Sequence, residues 1–123
     1  MAESYRDTGT ALRVLFCLGI RDEFFSMRAD ESPALIQASR DALDNLGERF
    51  GVTVLGTMDD DELMVGPSTG FPWTAYILAD APDLDAVKAV CNTLRETPVG
   101  EYKLWKYMKI EARVGRRLFF GNS

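Results

Sequence analysis

The stretch Leu104-Trp105-Lys106-Tyr107-Met108-Lys109-Ile110-Glu111-Ala112-Arg113-Val114 alternates so regularly that it constrains the chain more than any other segment. In a strand, successive side chains point to opposite faces, so residues two apart share a face. Leu104, Lys106, Met108, Ile110, Ala112 and Val114 then form one mostly apolar face, and Trp105, Tyr107, Lys109, Glu111 and Arg113 form the other. A solvated surface has little use for two large rings beside an acid and two bases. The second face therefore reads as the wall of a polar, aromatic cavity.

The chain has 123 residues, 46% of them hydrophobic, which is the size of one domain with a real core. A flexible N-terminal segment is expected over 1–10, one domain over 11–123, and within it a C-terminal tail over 115–123. A net charge of −5 argues against nucleic acid, whose phosphates need a basic stripe, and against anionic membrane surfaces. Residues 1–10 are polar and show neither a secretory leader nor a membrane span, so a cytoplasmic location is expected. Cys17 and Cys91 are spaced as neither a redox pair nor a zinc site, and both read as buried thiols. The sequence has no histidine, the commonest metal ligand and the usual neutral-pH acid or base. No metal or cofactor is expected, and chemistry would fall to carboxylates, Tyr, Lys or Arg.

Leu12 to Ile20 is a first strand, apolar on both faces, with Arg13, Leu15, Cys17, Gly19 and Arg21 sharing one of them. Asp22 to Glu31 is a connection whose Phe24, Phe25 and Met27 either cap a cavity or pack beneath a loop. Ser32-Pro33 marks a helix start with Ser32 as its cap. The helix runs to about Phe50 with an apolar stripe of Leu35, Ser39, Ala42, Leu43, Leu46 and Phe50, loosens near Gly47, and ends at Gly51. Strands follow at Val52 to Met58 and Trp73 to Ala79, joined by a long connection. In it, Asp59-Asp60-Asp61-Glu62 lacks the ligand alternation of a calcium loop and reads as solvated turn. Gly66 to Gly70 lacks the lysine of a phosphate loop and reads as a lid or edge loop. Asp80 to Pro82 is a turn. Asp83 caps a second helix ending near Glu96, with Leu84, Val87, Val90, Cys91 and Leu94 as its stripe. The apolar Leu118-Phe119-Phe120 closes the chain.

The order β-α-β-β-α-β is α+β and ferredoxin-like: a four-stranded antiparallel sheet with two helices on one face. The other face would leave an apolar patch in water, and a second copy laid against it is the simplest cover. Length, element order, open face and C-terminal extension resemble the dimeric α+β barrel superfamily, which includes muconolactone isomerases, EthD-type proteins and small cofactor-independent monooxygenases. More narrowly, Gly66-Pro67-Ser68-Thr69-Gly70-Phe71-Pro72-Trp73-Thr74 and Arg116-Arg117-Leu118-Phe119-Phe120-Gly121-Asn122 are similar to IacB-type proteins encoded with bacterial indole-3-acetic acid degradation genes. That resemblance implies a pathway context and names no reaction. The proximal histidine of haem-degrading relatives has no counterpart here.

Glu111 and Arg113, two apart on one strand, are within reach of each other. They form either an interface ion pair or a working pair, Arg113 holding a substrate carboxylate and Glu111 moving a proton. Tyr107 and Tyr76 are the candidate proton donors, Tyr76 only if its face is the cavity face. Trp105 and Trp73 are placed to sandwich a flat ring or simply to pack, and Arg21 and Lys109 add cationic contacts for substrate. The expectation is a cytoplasmic homodimer acting without cofactor on an aromatic, carboxylated catabolic intermediate, by isomerisation or an oxygenase-type step. The alternative is a non-catalytic ligand-binding or accessory protein that presents itself to a pathway enzyme. A third reading keeps the dimer and dispenses with the pocket.

Overall fold

The computed structural model describes residues 11–25, 31–63, 65–66 and 73–121. The expected N-terminal segment 1–10, Met27 and residues 67–72 of the glycine-rich connection lie outside these, as does the side chain of Phe25.

Strand β1 spans Leu12–Ile20, β2 Thr53–Asp59, β3 Ala75–Ala81 and β6 Met108–Gly115. They form one antiparallel sheet in the order β2-β3-β1-β6. Between them run a short α1 (Asp22–Phe25), α2 (Ser32–Leu43), α3 (Leu46–Phe50) and α4 (Leu84–Glu96), then a small hairpin of β4 (Pro98–Val99) and β5 (Tyr102–Lys103), and a 3-10 turn at Leu104–Lys106. The topology is ferredoxin-like, and among the described residues no helix is long and apolar enough to cross a membrane.

Register fixes what each face carries. On one face the rows are Val54–Ala79–Val14–Val114, Thr57–Ile77–Phe16–Ala112 and Asp59–Ala75–Leu18–Ile110. Val14, Phe16, Leu18, Ile77 and Ala79 of these rows are buried in one core with Leu46, Ala86, Val87 and Val90 of the helices and Val52 from the link between α3 and β2. A second core joins Leu35, Ala38 and Ala42 of α2 to Leu94, Val99, Leu104, Tyr107 and Met108. Ile110 and Leu43 touch both cores and tie them together.

Several boundaries differ from expectation for identifiable reasons. The final strand begins at Met108 rather than Leu104, because the chain first makes a 3-10 turn. In such a turn residues three apart lie over one another, so Leu104 and Tyr107 share the buried side. The expected single helix to Phe50 breaks at Asp44–Asn45. Asn45 adopts φ 60, a left-handed conformation that Asn tolerates. Arg49 then reaches back to donate to the carbonyls of Asp41, Ala42 and Asp44 at 2.9–3.0 Å, filling the free acceptors at the end of α2. Gly51, with φ 72, ends α3 as expected. Strand β3 runs through Asp80 and Ala81, which were expected in a turn, and their pairing with Arg13 and Leu12 holds them in the sheet.

Caps divide the two long helices. Asp83 accepts from the Ala86 N–H at 2.9 Å, as its position requires. Ser32 does not cap: the preceding Glu31 is already helical (φ −91, ψ −17), which places Ser32 inside the first turn. Asp83→Ala is therefore expected to lower unfolding free energy by about 1 kcal/mol. Ser32→Ala is expected to change it by only a few tenths, about the size of a neutral surface substitution. Paired urea titrations check both.

Candidate functional site

The sheet face away from the helices carries the rows Thr53–Asp80–Arg13–Gly115, Gly56–Leu78–Leu15–Arg113 and Met58–Tyr76–Cys17–Glu111, followed by Gly19–Lys109. Leu55 is the extra residue of a bulge between Val54 and Gly56, and the bulge brings Gly56 and Met58 onto this face. Leu15, Gly56, Thr57, Met58, Tyr76 and Leu78 line a shallow, mostly apolar trough of about 450 Å³. Met58 and Leu78 are 58% and 38% exposed on it, and Leu55 beside it is 47% exposed.

Tyr76 stands at the trough, so the register supplies the parity that the sequence left open. Its hydroxyl donates to Asp60 Oδ2 at 3.3 Å. Partial burial, the Asp60 carboxylate and Cys17 all push the Tyr76 phenol above its ordinary value of 10.0. It stays protonated at neutral pH and is equipped to donate rather than to accept. Asp60 comes from the acidic run read as solvated turn. It is anchored because its N–H donates to the Thr74 carbonyl at 3.0 Å, which sets it beside the start of β3.

Cys17 lies between Tyr76 and Glu111 and is 1% exposed, a buried thiol as expected. Glu111 and Arg113 occupy the same face and pair, Arg113 Nη2 to Glu111 Oε2 at 3.0 Å, with 46% and 59% of their side chains exposed. A further ion pair, Arg13 Nε to Asp80 Oδ1 at 2.7 Å, closes one end of the face. The sequence reading gave neither of these last two residues a role.

The other expected site residues are elsewhere. Tyr107, expected beside Glu111, is 6% exposed in the helix-side core, because the 3-10 turn ends the alternation before it is reached. Trp105 stands at the β6 edge, 46% exposed, with the Arg95 guanidinium 4.8 Å from its ring centre. Arg21 donates from Nε to the Met108 carbonyl at 3.3 Å, at the same edge. The Lys109 ammonium lies 5.4 Å from the centre of the Trp73 ring. The eight expected residues thus divide: Tyr76, Glu111 and Arg113 share the open face, Lys109 stands where that face meets the β6 edge with its ammonium over Trp73, Arg21 and Trp105 lie at the edge with Arg95, and Tyr107 is in the core. Cys91, expected to be a buried thiol, is half-buried, and that burial pushes its thiol up.

The chain matches no family model and no curated protein. It is similar in structure to a protein of unknown function from Rhodopseudomonas palustris, with a TM-score of 0.50 and 18% identity over 88% of this chain and 81% of that one. The methylated form of that protein gives a TM-score of 0.57 and 17% identity over 92% and 84%. A dimeric protein of unknown function and ferredoxin-like fold from Bacteroides fragilis NCTC 9343 gives a TM-score of 0.41 and 13% identity over 89% and 97%. At such identities the likeness to the Rhodopseudomonas protein speaks to the fold alone.

Proposed function

We propose that two copies of this chain meet through their open sheet faces, as in dimeric α+β barrels, and that the enclosed trough is a small-molecule site. The observation that supports this reading is an apolar hollow of about 450 Å³ lined by Tyr76, on the sheet face that also carries Glu111 and Arg113, apolar surface with a few polar groups being the usual make-up of a ligand site. Tyr76 and Glu111 flank Cys17 on neighbouring strands, so their backbones stand about 10 Å apart by strand spacing, room for a planar ring. The ligand class is an aromatic, carboxylated catabolic intermediate, processed without a cofactor by isomerisation or an oxygenase-type step. The resemblance to IacB-type proteins supplies the context of indole-3-acetic acid breakdown.

In this proposal the substrate carboxylate takes the Arg113 fork. It displaces Glu111, which is then free to take a proton while the Tyr76 hydroxyl gives one. Glu111→Gln is expected to lower turnover of the true substrate by about a hundredfold or more and to leave the dimer intact. Full activity in that variant removes Glu111 from the mechanism. The intact Glu111–Arg113 pair also favours a second reading, a non-catalytic binding or accessory protein whose ion pair is structural. Incubation with indole-3-acetate and its oxidised derivatives separates the two: a ligand that binds and never turns over supports the second.

A further inference from the structure

A second hollow, of about 460 Å³, opens at the β6 edge, lined by Cys91, Asn92, Leu94 and Arg95 of α4 together with Arg21, Trp105, Lys109 and Ile110. Its charge sets it apart. The chain carries a net −5, yet among the described residues this lining holds three cations and no acid.

Two of the cations are held in place without being neutralised. Arg21 donates from Nε to the Met108 carbonyl, and no ion pair among the described residues takes the two amino groups of its fork. Arg95 lies over the Trp105 ring, its guanidinium carbon 4.8 Å from the ring centre, and none of those ion pairs involves it. Guanidiniums oriented in this way have already lost much of the freedom that binding an oxyanion would otherwise remove. The Cys91 thiol, pushed up by burial, stays neutral and does not offset the positive charge.

Trp105 also borders an adjoining hollow of about 300 Å³, lined by Arg21, Glu23 and Lys106. Arg21 and Trp105 are common to the two. Glu23 lies only in the smaller one, and the larger one has Arg95.

We propose that this edge cleft binds a small oxyanion carried on a planar ring. Arg21 and Arg95 take a carboxylate or phosphate-ester group, and the ring rests along Trp105. The site is separate from the open-face trough and does not rest on the reading given for that face.

Calorimetry on the whole protein with phenylacetate, phenyl phosphate and the neutral isostere phenylacetamide tests it, the two anions telling a carboxylate site from a phosphate site. At least one anion is expected to bind about tenfold or more tightly than the amide, and more weakly as salt is raised. Arg95→Gln, at an exposed helix position, and Arg21→Gln are each expected to weaken that anion about tenfold. Tyr76→Phe is expected to leave it unchanged. In a Trp73→Phe background Trp105 is the remaining tryptophan, and its emission is expected to change on saturation. The proposal is overturned if neither anion binds at millimolar concentration, if the amide binds equally well, or if both arginine variants keep full affinity. Loss of binding in Tyr76→Phe would move the ligand to the trough and overturn it as well.

Discussion

Phe16→Ala will lower the unfolding free energy by about 3–5 kcal/mol. Phe16 is 0% exposed at the centre of β1, where its row partners are Ile77 and Ala112. Small residues share its core: Ala79, Ala81 and Ala86 belong to the same cluster, and Ala112 packs against that cluster. Alanines have no length with which to close a gap, and the sheet cannot fold inward without giving up its ladder. The cavity left by the ring therefore stays open, which places the loss at the upper end of the range. Against a total stability of about 5–15 kcal/mol for a domain of this kind, the variant sits near the edge of folding. Urea unfolding is expected to show a much lower midpoint with an unchanged slope. A loss below about 1 kcal/mol would mean that Phe16 is not a centre of this core.

What the sequence made legible follows the regularity of its periods. From Met108 onward the alternation is real, and Glu111 and Arg113 share a face as their spacing demands. In β1 the alternation also holds, with Val14 and Phe16 toward the helices and Leu15 and Cys17 away. The error at Tyr107 arose because a period of two and a period of three both fit the short run Leu104 to Tyr107. Only tertiary packing against α2 and α4 decides between them. Ala38 and Thr93 add little to a hydrophobic stripe because their side chains are small or polar, yet both are buried. Arg95 and Asp60 escaped for another reason. A charged residue on a helix or in an acidic turn looks solvated in sequence, and its partner, Trp105 or Tyr76, comes from a distant segment. Register across strands, which decided the position of Tyr76, is set by pairing and by the bulge at Leu55, and neither is a local property.

Leu78→Asp will dissociate the proposed dimer. Leu78 lies in the trough with Gly56 and Leu15 as its row partners, and it is 38% exposed in the single chain. For an isolated subunit the change is mild, because a partly exposed side chain trades apolar contact for a hydrated carboxylate, about 1 kcal/mol or less. When two such faces meet, symmetry makes each substitution count twice. Both carboxylates lose water in an apolar contact, and the nearest cations on the face, Arg113 and Arg13, are already paired with Glu111 and Asp80. The desolvation of two unpaired charges is worth several kcal/mol, enough to weaken association by about a thousandfold or more. Leu84→Asp is the control: Leu84 is 54% exposed at the start of α4, away from the open face, and its replacement is expected to leave assembly unchanged. Sedimentation equilibrium over a range of concentrations reads both variants against the parent protein. A parent that sediments as a single subunit, or a Leu78→Asp variant that still pairs as tightly, would show that the open face is not covered by its own copy.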